Sequence, residues 1–326
     1  MAFNGMRVVA IEEHYWDKEV AATFGPTDAM RSASGILDRL YDYSALRIKE
    51  MDEAGVDFQV LSHGAPSTQR MDADTAVKIC KGANDRLREI VRAHPDRFGA
   101  FGQIPTPDPK AAADELERCV TKLGFQGVMV HGLTNGVFFD DKRFWPIFER
   151  AAALDCPIYL HPAQPDPRVA EIYYKDYVKE FPGLLTAGWG FTVETATQTI
   201  RMVLSGVFKK YPNLRMITGH MGESIPFSVW RISQALSRPG NADTSFSFRD
   251  VFCEHFWITT SGNFSNPALL CSMLEMGIDR IIFSIDYPFV PNKPGMDWLP
   301  TIPISKEDMQ KFLHGNAERL LKLKAK

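Results

Sequence analysis

The chain has 326 residues, 45% of them hydrophobic and 24% charged, a balance that excludes a disordered polymer and allows a large buried core. Its 37 Lys and Arg stand against 40 Asp and Glu, a formal charge of -3, so no strong field favours nucleic acid or an anionic membrane as partner. No run approaches the roughly 18 apolar residues of a membrane span, and the start lacks the pattern of a secretion signal. The five dispersed cysteines fit neither a disulfide framework nor a Cys-rich zinc site, and a cytoplasmic protein is expected.

Short β-rich runs alternate with longer amphipathic segments along the chain. The candidate strands, in order, are 7–14 (RVVAIEEH), 58–63 (FQVLSH), 98–104 (FGAFGQI), 127–132 (GVMVHG), 157–161 (PIYLH), 214–220 (LRMITGH), 256–262 (FWITTSG) and 280–286 (RIIFSID). Between them, segments such as 44–55, 76–94 and 111–124 carry apolar residues three and four apart, the spacing of helices with one buried face. Near-continuous apolar strands imply a parallel sheet covered by helices, and eight of them predict an α/β fold of (β/α)₈ TIM-barrel type. No repeat, low-complexity tract or linker divides the chain, so residues 1–326 are expected to form one barrel domain. The stretches 15–43, 162–191 and 287–303 are too long for simple turns, and as insertions in the βα loops they would shape a pocket at the barrel mouth.

Five of the eight histidines, His14, His63, His131, His161 and His220, fall at or beside the C-terminal end of a predicted strand, and Asp286 ends the last one. In a parallel barrel those ends meet on one face, where catalytic groups gather. Glu12 and His14 are two residues apart and so share one strand face, while Glu13 points to the other. With His161 and Asp286 they make a set of two nitrogen and two carboxylate ligands for one divalent metal, Zn²⁺ or Mn²⁺, with positions left for water or substrate. His220 ends the sixth strand and Glu223 lies just beyond it, where the imidazole could orient a substrate hydroxyl or shuttle a proton and the carboxylate could hold its tautomer. Glu223 equally suits the first turn of the following helix. Arg231, eight residues further, carries a fork able to meet a substrate carboxylate, though a helical Arg is as often a solvated or intersubunit charge.

These residues resemble the amidohydrolase superfamily and, within it, the nonoxidative aromatic acid decarboxylases. The stretches that carry the resemblance are 10–15 (AIEEHY), 83–87 (ANDRL), 94–105 (HPDRFGAFGQIP), 115–130, 157–162 (PIYLHP), 219–223 (GHMGE), 230–232 (WRI), 258–264 (ITTSGNF), 279–289 (DRIIFSIDYPF) and 315–323. They follow the family order over almost the whole chain, and are most similar to γ-resorcylate and 2,3-dihydroxybenzoate decarboxylases, with 5-carboxyvanillate decarboxylase a near relative. The resemblance implies one divalent metal held by residues matching Glu12, His14, His161 and Asp286, a small aromatic acid as substrate, and a homodimer or homotetramer. Two positions depart from the family pattern: His131 stands where Asn is usual, and His63 where His is usually absent. The extra imidazoles would change what is offered to the ring substituents.

The expected reaction is loss of CO₂ from an ortho-hydroxybenzoate, its carboxylate and hydroxyl held by the metal and Asp286 protonating the ring carbon. His220 and Arg231 would steady the hydroxyl and carboxylate charges, and Trp16, Phe24, Trp189 and Phe289 could hold the ring. A metal-dependent hydrolase of an ester, lactone or amide, or a hydratase, is the alternative, and a silent barrel that only binds a ligand ranks last.

Overall fold

The structure, a computed structural model, describes residues 3–25 and 35–323. All eight expected strands form: β1 (Val9–Tyr15), β2 (Phe58–His63), β3 (Phe98–Gly102), β4 (Gly127–His131), β5 (Ile158–His161), β6 (Met216–Thr218), β7 (Phe256–Thr259) and β8 (Ile281–Ile282). They pair in parallel in the order β1 to β8, each with its neighbour in sequence, as a nearly closed barrel requires. Helices fill the connections. Asp72 caps Ala73–Ala93 by accepting the Thr75 N–H, which starts that helix three residues earlier than its apolar period suggests. The helix expected over 111–124 begins at Pro109 behind the cap Asp108 and ends in a wider turn, Cys119–Leu123, stopped by left-handed Gly124.

Two apolar layers enclose the strands. Val9, Ile11, Phe58, Val60, Phe101, Met129, Tyr159, Ile217 and Ile282 fill the barrel interior, and a larger set packs between strands and helices. In β1 the pairing with β2 slips between Ala10 and Glu13, so that Ile11 and Glu12 together oppose Val60. This bulge lets Ile11 close the interior packing while Glu12 and His14 begin the polar mouth directly above it.

β6 and β8 are shorter than expected. After Thr218 the chain turns at Gly219, and after Ile282 it leaves the ladder for side-chain contacts with β1. Of the expected insertions, 162–191 carries the short helix Pro167–Tyr173 and 287–303 carries Asn292–Trp298, while residues 26–34 of the first lie outside the described residues. No described helix is long and apolar enough to cross a membrane.

Candidate metal centre and active site

Three imidazoles, two in strand ends and one just past β6, turn the same atom inward. His14 Nδ1 lies 3.1 Å from Ser62 Oγ, His161 Nδ1 2.7 Å from the Pro162 carbonyl and His220 Nδ1 2.8 Å from Glu223 Oε1. A carbonyl or carboxylate only accepts, so His161 and His220 carry hydrogen on Nδ1 and present Nε2 to the mouth. There Nε2 of His161 is 3.1 Å and that of His220 3.6 Å from Glu12 Oε1, and Nε2 of His14 is 3.2 Å from Asp286 Oδ1. Ligand atoms of Glu12, His161, His220 and Asp286 all lie within 4.8 Å of one another. The cluster therefore holds the expected Glu12, His161 and Asp286 and adds His220, with His14 beside it.

The two oxygens of Glu12 have different surroundings. Oε2 lies within hydrogen-bond reach of the hydroxyls of Tyr159, Thr259 (3.2 Å) and Ser261, and Thr259 lies within the same reach of the other two, so their three hydrogens are shared over this group. Oε1, fully buried, has no hydrogen-bond partner among the described residues, and neither has His14 Nε2. A buried carboxylate with one saturated and one bare oxygen, facing imidazoles whose outer nitrogens are anchored, is the donor set a divalent cation completes. Gly219 is required for this: a Cβ there would stand 2.6 Å from Glu12 Oε2.

Charge points the same way. Burial raises the Glu12 carboxyl, but the surrounding imidazoles, His220 first, outweigh it and hold the group well below the usual range. Asp286 is lowered too, where His14 and His220 overcome the cost of burial. Burial depresses His14, yet Asp286 and Glu12 lift it to about 9, and Glu223 and Glu12 lift His220 in the same direction. Burial wins at His161, which falls to about 4. Without metal, two carboxylates are thus balanced by two imidazolium protons. A divalent cation held by His14 Nε2 would displace the proton there.

His220 opens an unusual segment. His220, Met221, Gly222, Glu223 and Ser224 all have positive φ, between 49° and 72°. Four of them carry a Cβ, for which this region is unfavourable, so the surrounding packing has to hold the turn. Glu223 accordingly lies in a left-handed turn before the helix Ile225–Leu236, and not in that helix's first turn.

His131 pairs with His161 across β4 and β5, their rings 4.9 Å apart, and its Nδ1 is 3.3 Å from Gln69 Oε1. His63 pairs with Tyr15 and bonds through Nδ1 to the Gly64 carbonyl at 2.7 Å. Burial keeps both neutral, pushing His63 down to about 4 and His131 well below its ordinary value, and among the described residues each Nε2 is buried without a hydrogen bond. Phe289 sits 5.6 Å from His14, and Phe24 lies between Trp16 (5.1 Å) and His63 (6.0 Å). Arg231 and Trp189 stand apart from this group, exposed to solvent. A neighbouring cavity of about 510 Å³ is lined by Arg70, Asn135, Gln164 and Asp166, from loops that follow β2, β4 and β5.

Sequence reasoning did not single out Tyr159, Thr259, Ser261 or Ser62. Tyr159 is two residues before His161, and Thr259 and Ser261 are two apart, so the same alternation that found Glu12 and His14 marks them as inward-facing.

A γ-resorcylate decarboxylase of Polaromonas sp. is 39% identical over 328 residues, covering 97% of this chain and 98% of that protein. A crystal structure of a dihydroxybenzoic acid decarboxylase from Polaromonas sp., with bound manganese and the inhibitor 2-nitroresorcinol, superposes with a TM-score of 0.87 at 39% identity, covering 97% of each chain. The 5-carboxyvanillate decarboxylase of Sphingomonas paucimobilis superposes with a TM-score of 0.90 at 32% identity, covering 98% of this chain and 100% of its own. A sequence model described as amidohydrolase matches residues 11–323, and with relatives aligned along nearly its whole length the chain belongs to the amidohydrolase family.

Proposed function

We propose that this protein is a metal-dependent carboxy-lyase that removes CO₂, without an oxidant, from an aromatic acid with a hydroxyl ortho to the carboxylate. The observation that carries the reading is the convergence of anchored imidazole Nε2 atoms on Glu12 Oε1 and Asp286, in a chain 39% identical to a γ-resorcylate decarboxylase. Glu12, His14, His161 and Asp286 would hold the metal, Mn²⁺ or Zn²⁺, with His220 close enough to join them. When bound, the metal supplies positive charge for the carboxylate and ortho-hydroxyl oxygens of the acid.

Asp286, which His14 and His220 keep ionised at rest, is first protonated by the His220 imidazolium and then delivers that proton to the ring carbon that bears the carboxylate. The C–C bond then breaks, its electron pair returns to the ring, aromaticity is restored and CO₂ leaves. His220, its Nε2 3.9 Å from Asp286 Oδ2, supplies that proton to Asp286, and Glu223 keeps the His220 Nδ1 hydrogen in place. The bare Nε2 of neutral His131, beside His161, accepts a hydrogen bond from a ring hydroxyl, with His63 a second acceptor near Phe24. Trp16, Phe24 and Phe289 pack against the ring. Arg231 and Trp189, being exposed, are given no substrate contact within a single chain.

We also propose a cytoplasmic homo-oligomer, a dimer or tetramer of one-domain chains. All five cysteines are free thiols, and Phe227 and Trp230 are 85% and 63% exposed on the helix that follows the His220 turn.

The test is CO₂ release from a panel of ortho-hydroxybenzoates by the Mn²⁺-loaded protein. Turnover of one acid, lost in Asp286→Asn and shifted in substrate preference in His131→Asn, is the expected result. A loaded protein that decarboxylates none of them but hydrolyses an ester or lactone overturns the reading.

A further inference from the structure

Glu13 lies between the metal-site residues Glu12 and His14, is fully buried, and points to the opposite face of β1. Its side chain reaches the stretch of chain that carries Asp286. β8 keeps its ladder only over Ile281–Ile282, so the residues after it are not held by regular pairing. Glu13 Oε1 accepts the Ile285 N–H at 2.9 Å and the Ser284 hydroxyl at 3.1 Å, and Oε2 accepts the Tyr287 N–H at 3.1 Å. The two amides flanking Asp286 are therefore held by one carboxylate.

The remaining contacts tie the same stretch to the backbone of β1. Asp286 N–H donates to the Glu12 carbonyl at 3.1 Å, and His14 N–H donates to the Tyr287 carbonyl at 2.6 Å. Ser284 Oγ accepts the N–H groups of Ile11 (3.2 Å) and Glu12 (2.6 Å), which leaves its own hydrogen for Glu13. Arg47, also fully buried, donates to the His14 carbonyl and stacks on the Tyr287 ring at 4.6 Å. Asp286 itself has φ 73°, a conformation that a residue with a Cβ keeps only when its neighbours enforce it.

We propose that Glu13 is a positioning residue: its carboxylate clamps the amides on either side of Asp286 and so fixes the left-handed turn that aims the Asp286 carboxylate at His14. It touches neither substrate nor reacting atoms. All three groups bonded to it are donors, so a carboxylate satisfies every one of them. A Gln amide does not, because in either orientation its NH₂ meets a donor, a backbone N–H or the Ser284 hydroxyl.

The inference rests on reading the cluster as a metal centre, and the experiment separates the two. Wild type and Glu13→Gln are loaded with Co²⁺, and the visible spectrum, chelator competition, circular dichroism, kcat and KM are measured. The expected variant is folded, with a changed Co²⁺ band, metal held about tenfold more weakly, and kcat about tenfold lower at little-changed KM. A variant with lower thermal stability but wild-type spectrum, metal affinity and kcat overturns the proposal and leaves Glu13 as a seam residue only. Wild type that takes up no Co²⁺ instead overturns the metal-centre reading. Should Glu13→Gln fail to fold, Ser284→Ala removes one prong of the clamp without changing charge. An altered Co²⁺ band in that variant supports the clamp, and an unchanged band with unchanged kcat overturns it.

Discussion

Without its metal, the protein should lose stability as the pH rises from about 6.5 to 9, and adding metal should reverse the trend. His14 is fully buried and its folded-state pKa is raised from 6.5 to about 9 by Asp286 and Glu12, against the cost of burial. A raised imidazole stabilises the fold fully below its unfolded value, and that contribution is lost as the pH climbs through the folded value. The gap corresponds to about 3 kcal/mol at this one residue. His220 is raised in the same sense. The depressed imidazoles His63, His131 and His161 change stability only below about 6.5, so they do not oppose the slope in this window. A cation must displace the His14 proton, so its apparent affinity should rise up to about tenfold per pH unit until that proton is gone. Urea unfolding of chelator-stripped and Mn²⁺-loaded protein across this range measures both slopes. A metal-free stability that is flat or rises with pH, or a His14→Asn variant that keeps the wild-type slope, would refute the argument.

Three substitutions probe the supports of the site. Gly219→Ala puts a methyl group 2.6 Å from Glu12 Oε2, and metal retention after dialysis should fall about tenfold or more with the fold intact by circular dichroism. Tyr159→Phe removes one of three hydroxyls on Glu12 Oε2 and should cost roughly 1 kcal/mol in unfolding free energy, with a smaller loss of metal affinity than Gly219→Ala. Gly222→Ala places a Cβ at φ 72° and 2.9 Å from the Ile258 side chain, so it should destabilise the protein by roughly 2 kcal/mol or more and, by disturbing the His220 turn, lower kcat.

The barrel was legible because its strands are apolar on both faces and end in polar residues. β2 has the bounds its composition suggests, and His14, His63, His131 and His161 all lie in strand ends as expected. The end of β8 was overestimated for a traceable reason. Residues 283–285 (FSI) read as strand, yet Phe283 N–H donates to the Phe312 carbonyl and Ser284 and Ile285 bond to the Thr260 hydroxyl and the Glu13 side chain, contacts that composition cannot distinguish from a ladder. The alternation argument placed Glu12 and His14 together correctly, but carried back to Ile11 it would have turned that residue out of the barrel. The bulge after Ala10 undoes it, and a bulge depends on the partner strand. The left-handed run at His220 was not legible either, since only Gly222 among its five residues hints at positive φ.

What separates the readable part of the site from the rest is the number of strands each feature needs. A candidate ligand position needs one strand and the residues just past its end, so Glu12, His14, His161 and Asp286 could be proposed from local pattern. The environment of a ligand needs several strands in register: Glu12 is on β1, while the hydroxyls that saturate its Oε2 come from β5, from β7 and from the turn just after it. That division of its two oxygens leaves Oε1 alone to face the imidazoles. Changes at Tyr159, Thr259 or Ser261 can therefore retune how strongly Glu12 attracts a cation while every ligand stays in place. Glu13 extends the same logic to the other face of β1, where a residue between two metal-site residues acts on a third, Asp286, from 273 positions away in the chain.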